Sequence, residues 1–171
     1  ADGLFVEMGG QYQSVSIEGD NFTQDGDRYG LGVALKKELG RFTLSTTLAG
    51  GTYGYDYNRG YSVSGLPYAA ASNIEGRFLT LEGRASAVFE ANDVYVKPSA
   101  ALAVTQIWQD SFDESGSGAL NWHIDGVNQT AVTVTPMVEF GHAFTIQDTS
   151  PAIAYIRAGV TASLTDPDYS M

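Results

Sequence analysis

The sequence predicts an all-β chain folded as an antiparallel up-and-down barrel wall of about seven to eight strands, and three observations carry that expectation. It holds 20 glycines, 10 tyrosines and 8 phenylalanines in 171 residues, and no stretch keeps a helical apolar period for the length of an ordinary helix. Apolar residues instead alternate with polar ones over long runs, as they must where successive side chains point to opposite faces of a sheet. The runs exceed the roughly five or six residues common in soluble strands, and the connections between them alternate between tight and long.

Strands are expected at 4–17, 28–39, 41–57, 74–90, 93–108, 129–145 and 151–164. In the second, Tyr29, Leu31, Val33 and Leu35 form one apolar row; in the third, Phe42, Leu44 and Leu48 oppose Thr43, Ser45 and Thr47. The fourth is the most informative. Leu79, Leu81, Ala85, Ala87 and Phe89 lie on one side, while Thr80, Glu82, Arg84 and Ser86 lie on the other, so two opposite charges share the polar face. In the fifth, Val94, Val96, Leu102 and Val104 oppose Tyr95, Lys97, Ser99 and Thr105. The sixth sets Val132, Val134, Val138 and Phe140 against Thr133, Thr135 and Glu139, and the seventh sets Ala154, Ile156 and Val160 against Tyr155, Arg157 and Thr161. Pro98 and Pro136 fall inside these runs; each removes a ladder donor and is expected at an edge or a bulge. Long loops are expected at 18–27, 58–72 and 109–128, and tight turns at 40–41, 91–93 and 147–150.

Two walls fit this alternation, and one is the other turned inside out. In a soluble barrel the apolar row fills the interior; in a transmembrane barrel it meets lipid and the charges line a wet lumen. Parity alone does not choose between them. Strand length and loop alternation favour the membrane version, since a tilted strand crosses a bilayer in about 9–11 residues and such barrels keep short turns on one side and longer loops on the other. On that version Glu82, Arg84, Lys97, Glu139 and Arg157 line the lumen, where opposite charges can pair. Tyr53, Tyr55 and Tyr57, with Trp108 and Phe112, are expected near the ends of the third and fifth strands as interfacial aromatics.

Composition narrows the function. With 20 acidic against 9 basic residues the net charge is −11, which opposes binding of nucleic acid, whose phosphates need Lys and Arg. There is no cysteine to supply a disulfide or a thiolate ligand. His123 and His142 are the only imidazoles and fall in different elements, and "ESGSG" at 114–118 lacks the strand-to-helix setting of a nucleophile elbow. The carboxylates of "GDNFTQDGD" miss the spacing of a calcium loop. No enzyme, metal or cofactor is expected.

Two longer stretches carry a family resemblance. "RYGLGVALKKELGRFTLSTTLAGGTYGYDYNRGYSVSG" at 28–65 resembles the strand-turn-strand of the translocator domain of type V autotransporters, which returns through Gly-x-Tyr-Asp to a loop arginine. "VYVKPSAALAVTQIWQDSFDESGSGALNWHID" at 94–125 resembles that family's strand with a central proline followed by a Phe-x-Glu-x-Gly segment, with Phe112, Glu114 and Gly116 at the motif positions. Residues 129–164 are similar to the two strands that follow.

The resemblance implies a twelve-stranded barrel in the outer membrane of a Gram-negative bacterium. Such a barrel anchors and helps export a passenger of the same polypeptide, with lipid, that passenger and the outer-membrane assembly machinery as partners. Only part of such a barrel is expected within 1–171, with strands missing mostly at the C-terminal side. The implied site is the segment 109–126, a hairpin at the barrel mouth in which Phe112 packs and Glu114 accepts hydrogen bonds as the passenger passes. The alternative is a smaller outer-membrane or soluble barrel that holds a small ligand in its polar interior. Extraction separates the two: the translocator should need detergent and migrate on gels in a heat-dependent way, whereas a monomer stable in plain buffer indicates the soluble binder.

Overall fold

In the computed structural model, residues 3–146 and 150–165 are described. They form one antiparallel sheet curled into part of a barrel. Its strands are β1 (Leu4–Gly19), β2 (Phe22–Leu39), β3 (Phe42–Val63), β4 (Leu66–Ala87), β5 (Phe89–Ala91), β6 (Val94–Gln109), β9 (Val127–Ile146), β10 (Ser150–Gly159) and β11 (Ala162–Ser163). Between β6 and β9 a small ladder joins β7 (Phe112–Asp113) to β8 (His123–Ile124), with one short 3-10 turn at Gly118–Leu120. The order is β1-β2-β3-β4-β6-β9-β10; β5 continues β4 against β6, and β11 continues β10 against β9. These are the seven expected wall strands.

The register identifies the faces. Directly opposed residues share a face in an antiparallel pair, and Leu81 lies between Leu48 and Val104, and Leu102 between Gly83 and Val134. Leu81 is 51% exposed, Leu102 50% and Ile156 71%, and among the described residues the buried apolar side chains are three alanines, Ala70, Ala87 and Ala101. No dry core lies behind the apolar row, so it is the convex face and the charged row is the concave one. Along β4 from Ala71 to Ser86 every odd residue is exposed and every even one half-buried, as curling crowds one face and splays the other.

The convex face carries a band that matches a bilayer. At one end Tyr12 and Tyr29 meet with ring centroids 5.2 Å apart, and the Arg77 guanidinium lies 5.5 Å from the Trp108 ring. At the other, Arg41 sits between Phe42 and Phe89, 5.8 and 5.6 Å from their rings. Along β3 the band runs from Phe42 to about Thr52, close to the 9–11 residues a tilted strand needs. Beyond Tyr29 and Trp108 the same face turns polar, with Asp56 accepting from Asn73 at 3.0 Å.

Two expectations change. The long loops expected at 18–27 and 58–72 are mostly strand: β3 and β4 each run 22 residues and rise past the band as a two-stranded hairpin. Water bathes both faces there, so no apolar alternation marks the strands, and only two residues turn each hairpin. Ser64 and Gly65 turn the second with φ of 53° and 81°, left-handed values that a β-branched or bulky residue would adopt only under strain. The turn expected at 147–150 falls largely outside the described residues.

The prolines are also displaced from the expected edges. Both lie in interior strands, each where one flanking ladder is interrupted by two pairs without a change of register: Pro98 between Ser86–Ser99 and Phe89–Val96, and Pro136 between Gly159–Met137 and Ala162–Val134. Each keeps its place in the other ladder, Pro98 opposite Val138 and Pro136 opposite Ala100. The missing donor therefore interrupts one ladder only.

The assignment of faces predicts an asymmetry. In the barrel containing this chain, Leu81→Arg should cost about 2–4 kcal/mol of folding stability in phospholipid vesicles because the charge meets hydrocarbon. Ala103→Arg, on the inner face opposite Glu82, should be nearly neutral in the same denaturant titration.

Candidate functional site

The concave face brings together the five charges expected in the lumen. Arg84 donates to Glu82 through Nε at 3.2 Å and through a terminal nitrogen at 3.1 Å. Glu139 stands between Lys97 and Arg157 in the register. It is 7% exposed, accepts from Tyr95 Oη at 2.7 Å on Oε1 and from Arg157 Nε at 2.8 Å on Oε2. A carboxylate this enclosed requires such partners, since desolvating an unpaired charge is costly. Lys36, Arg84, Lys97 and Arg157 line one hollow of about 200 Å³ together with Glu139 and small polar side chains. Thr80 and Thr105 share a 3.0 Å hydroxyl contact on the same face.

At the mouth, the segment after β6 lies along β4. Asp110 N–H donates to Glu75 O at 3.0 Å, and Ser115 and Ala71 exchange backbone bonds of 2.8 and 2.9 Å. Ser117 Oγ donates to Ala69 O at 2.7 Å. The segment so covers the edge that β6 leaves unpaired above Gly76. Gly116 has φ +103°, and a Cβ there would lie 2.8 Å from Ala69 O, so glycine is required for the approach.

Glu114 fastens the segment. Its Oε1 accepts from Arg59 Nε at 2.6 Å, and its Oε2 accepts from a terminal nitrogen of Arg59 at 2.8 Å and from Trp122 N–H at 3.0 Å. The Arg59 guanidinium in turn lies 4.5 Å from the Tyr61 ring and 4.2 Å from the Trp122 ring. A bidentate pair that stacks on aromatic faces suits arginine and not lysine. The Arg59 hydrogen bond holds the Glu114 carboxyl below the usual carboxylate range, against the opposing effect of burial. Phe112 is half-buried and opposes Ile124 in the β7–β8 ladder.

Two site expectations are corrected. Glu114 is 9% exposed with both oxygens engaged by its own chain, so it fastens the segment in place of accepting bonds from a moving one. Tyr53, Tyr55 and Tyr57 do not face lipid: the unbroken β3–β4 register pairs Tyr53 with Gly76 and Thr47 with Glu82, which puts all three rings on the concave side. Trp108 stays on the convex face beside Arg77, and Tyr12 and Tyr29 take the place expected of the tyrosines.

The profile of the Autotransporter beta-domain family matches residues 4–171. The chain belongs to that family. The translocator domain of the autotransporter NalP from Neisseria meningitidis has a similar fold, with a TM-score of 0.85 and 15% identity, covering 97% of this chain and 57% of that one. The β-domain of the Bordetella autotransporter BrkA is similar with a TM-score of 0.64 and 24% identity, covering 95% of this chain and 66% of that one. This autotransporter chain thus spans less than two thirds of either domain. No curated protein sequence matches it significantly.

Within this β-domain, Arg59 and Trp122 are the site residues that sequence reasoning missed. The loop arginine was visible, but nothing along the chain links it to a glutamate 55 positions later. Their pairing predicts a pH response. A carboxylate whose pKa is lowered by folding stabilises the folded segment above its unfolded value and loses that contribution as pH falls through its folded one. The protection of the Ala71 and Ser115 amides, measured relative to their intrinsic exchange at each pH, should therefore begin to fall below the ordinary carboxylate range in the wild type and be lost as pH drops through the lowered pKa of Glu114. In Glu114→Gln exchange should be faster by about tenfold or more already at pH 7.

Proposed function

We propose that this chain forms part of an outer-membrane translocator that anchors a passenger of its own polypeptide and helps export it. The family's β-domains are outer-membrane β-barrels of Gram-negative bacteria, and this chain carries their fold and their membrane band. The observation that supports export most directly is the concave face, where paired charges and small side chains offer a wet wall to a passing polypeptide. The Phe112–Gly116 segment, fastened by Arg59, holds one side of the mouth open in this reading. β1 and β10 each have one edge without a partner among the described residues, and further strands close the wall so that no backbone group is left unpaired in lipid. Insertion by the outer-membrane assembly machinery belongs to the same reading, as does a transport role without catalysis. Family membership favours it over a small ligand-binding barrel.

Passenger display on cells tests this. In a passenger-bearing polypeptide containing this chain, deleting 111–120 should lower surface display while the barrel still folds, as its heat-dependent migration reports; unchanged display removes the segment from export. Glu82→Gln with Arg84→Gln separates a guiding role from a stabilising one. Export that slows at unchanged heat stability supports guidance, and stability that falls first assigns the pair to the wall.

A further inference from the structure

The concave face changes character along β3. Ser45, Thr47, Ala49 and Gly51 occupy its inner positions within the membrane band, and then Tyr53, Tyr55, Tyr57, Arg59 and Tyr61 follow at every second residue towards the outer end. Tyr53 and Tyr55 stack with centroids 5.4 Å apart, and Tyr57 meets Phe22 at 6.0 Å. A bilayer has no claim on these rings, which point away from lipid. Packing uses one side of some members: a Cβ at Gly76 would fall 2.3 Å from Tyr53 and one at Gly26 would fall 2.6 Å from Tyr55, and Arg59 is clasped by Glu114. Tyr53, Tyr55, Tyr57 and Tyr61 are all half-buried, and the surface they keep lies on the concave side.

We infer that this tyrosine ladder is a contact track for an extended polypeptide, the passenger in transit. The inference rests on the export reading above. Two features select that occupant. The rings recur every second residue of a strand, about 6.6–6.8 Å, which is the interval at which an extended chain presents side chains on one face. Aromatic faces accept aliphatic groups and the cations of Lys and Arg without reading a particular sequence. The track lies only in the outer half. An emerging chain that binds there is held against sliding back, whereas the small residues of the inner half hold nothing.

Site-specific photo-crosslinking in a passenger-bearing polypeptide with a stalled passenger tests this. Photoreactive residues at Tyr55 and Tyr57 should give passenger adducts, and those at Asp56 and Asn58, on the opposite face, should give none. Adducts at Thr47 without any at Tyr55 or Tyr57 overturn the track and leave export standing. A passenger that reaches the surface with no adduct at any concave position overturns both. The double variant Tyr55→Ala, Tyr57→Ala should slow surface appearance about fivefold, from loss of roughly one ring contact's stabilisation of the emerging chain. Tyr55→Phe with Tyr57→Phe should restore the rate at unchanged heat stability. A rate that follows heat stability alone assigns the rings to packing and overturns the proposal.

Discussion

The constraint on which this structure rests is the backbone. In hydrocarbon there is no water to satisfy a peptide group, so each N–H and C=O must find a partner within the protein. A long antiparallel ladder without slips meets that demand, and the register from β1 to β10 is of this kind: β2 and β3 pair without interruption from Phe22–Arg59 to Leu39–Phe42, and β3 and β4 from Phe42–Ala87 to Val63–Leu66. The prolines show how tightly the demand operates. Each interrupts the ladder on one side of its strand only, opposite Ala87 or Val160 in an unbroken register, so the absent N–H removes one bond from one ladder and leaves the other whole.

An unbroken register fixes the faces of every strand once one of them is known, because a slip of one residue would exchange them. The pairing of charges follows from that. Glu139 reaches Arg157 because they are directly opposed on neighbouring strands, and Glu82 reaches Arg84 because residues two apart on one strand share a face. On the convex side the same rule lines up Leu48, Leu81 and Val104 across three strands. A lipid-facing row and a charged row are therefore two consequences of one ladder, and neither requires a hydrophobic core.

This explains which parts were legible in the sequence. Within the membrane band the environment differs between the two faces, so the alternation of Leu79 and Leu81 with Thr80 and Glu82 reports the fold directly. Above the band both faces meet water and the signal vanishes, which is why "NRGYSVSGLPYAAAS" reads as a loop although it forms most of a hairpin. Pro67 is compatible with this hairpin because its missing N–H lies on the side of β4 facing away from β3, the same side as the Ala71 groups that meet Ser115. Aromatic content misled in a related way. Tyr53, Tyr55 and Tyr57 stand near the membrane boundary, but depth is only half of an interfacial assignment, and parity puts them on the other face. The Arg59–Glu114 pair was invisible because long-range pairing leaves no local mark.

The hairpin that rises above the band raises a difficulty that the Phe112–Gly116 segment resolves. Once β6 ends at Gln109, β4 from Leu66 to Glu75 has a partner on one side only, and an exposed edge is a template for any passing strand. On the export reading, where the wall lies beside the route of an extended chain, that edge would be a trap. The segment covers it with few bonds: one backbone exchange at Ala71, one bond to Glu75 O, and hydroxyl bonds from Ser115 to Ala71 O and from Ser117 to Ala69 O. So sparse a cover has little strength of its own, and this accounts for the concentration of stronger interactions at its base. Arg59 is the next β3 residue to face the passage after Tyr57, and its bidentate bond to Glu114 and its stacking on Trp122 tie the cover to the hairpin it protects. The family's Phe-x-Glu-x-Gly pattern then has a physical basis in this chain. The glutamate supplies the tie, the glycine supplies the close approach at Ala69, and the phenylalanine sits in the short ladder opposite Ile124 that sets both in place.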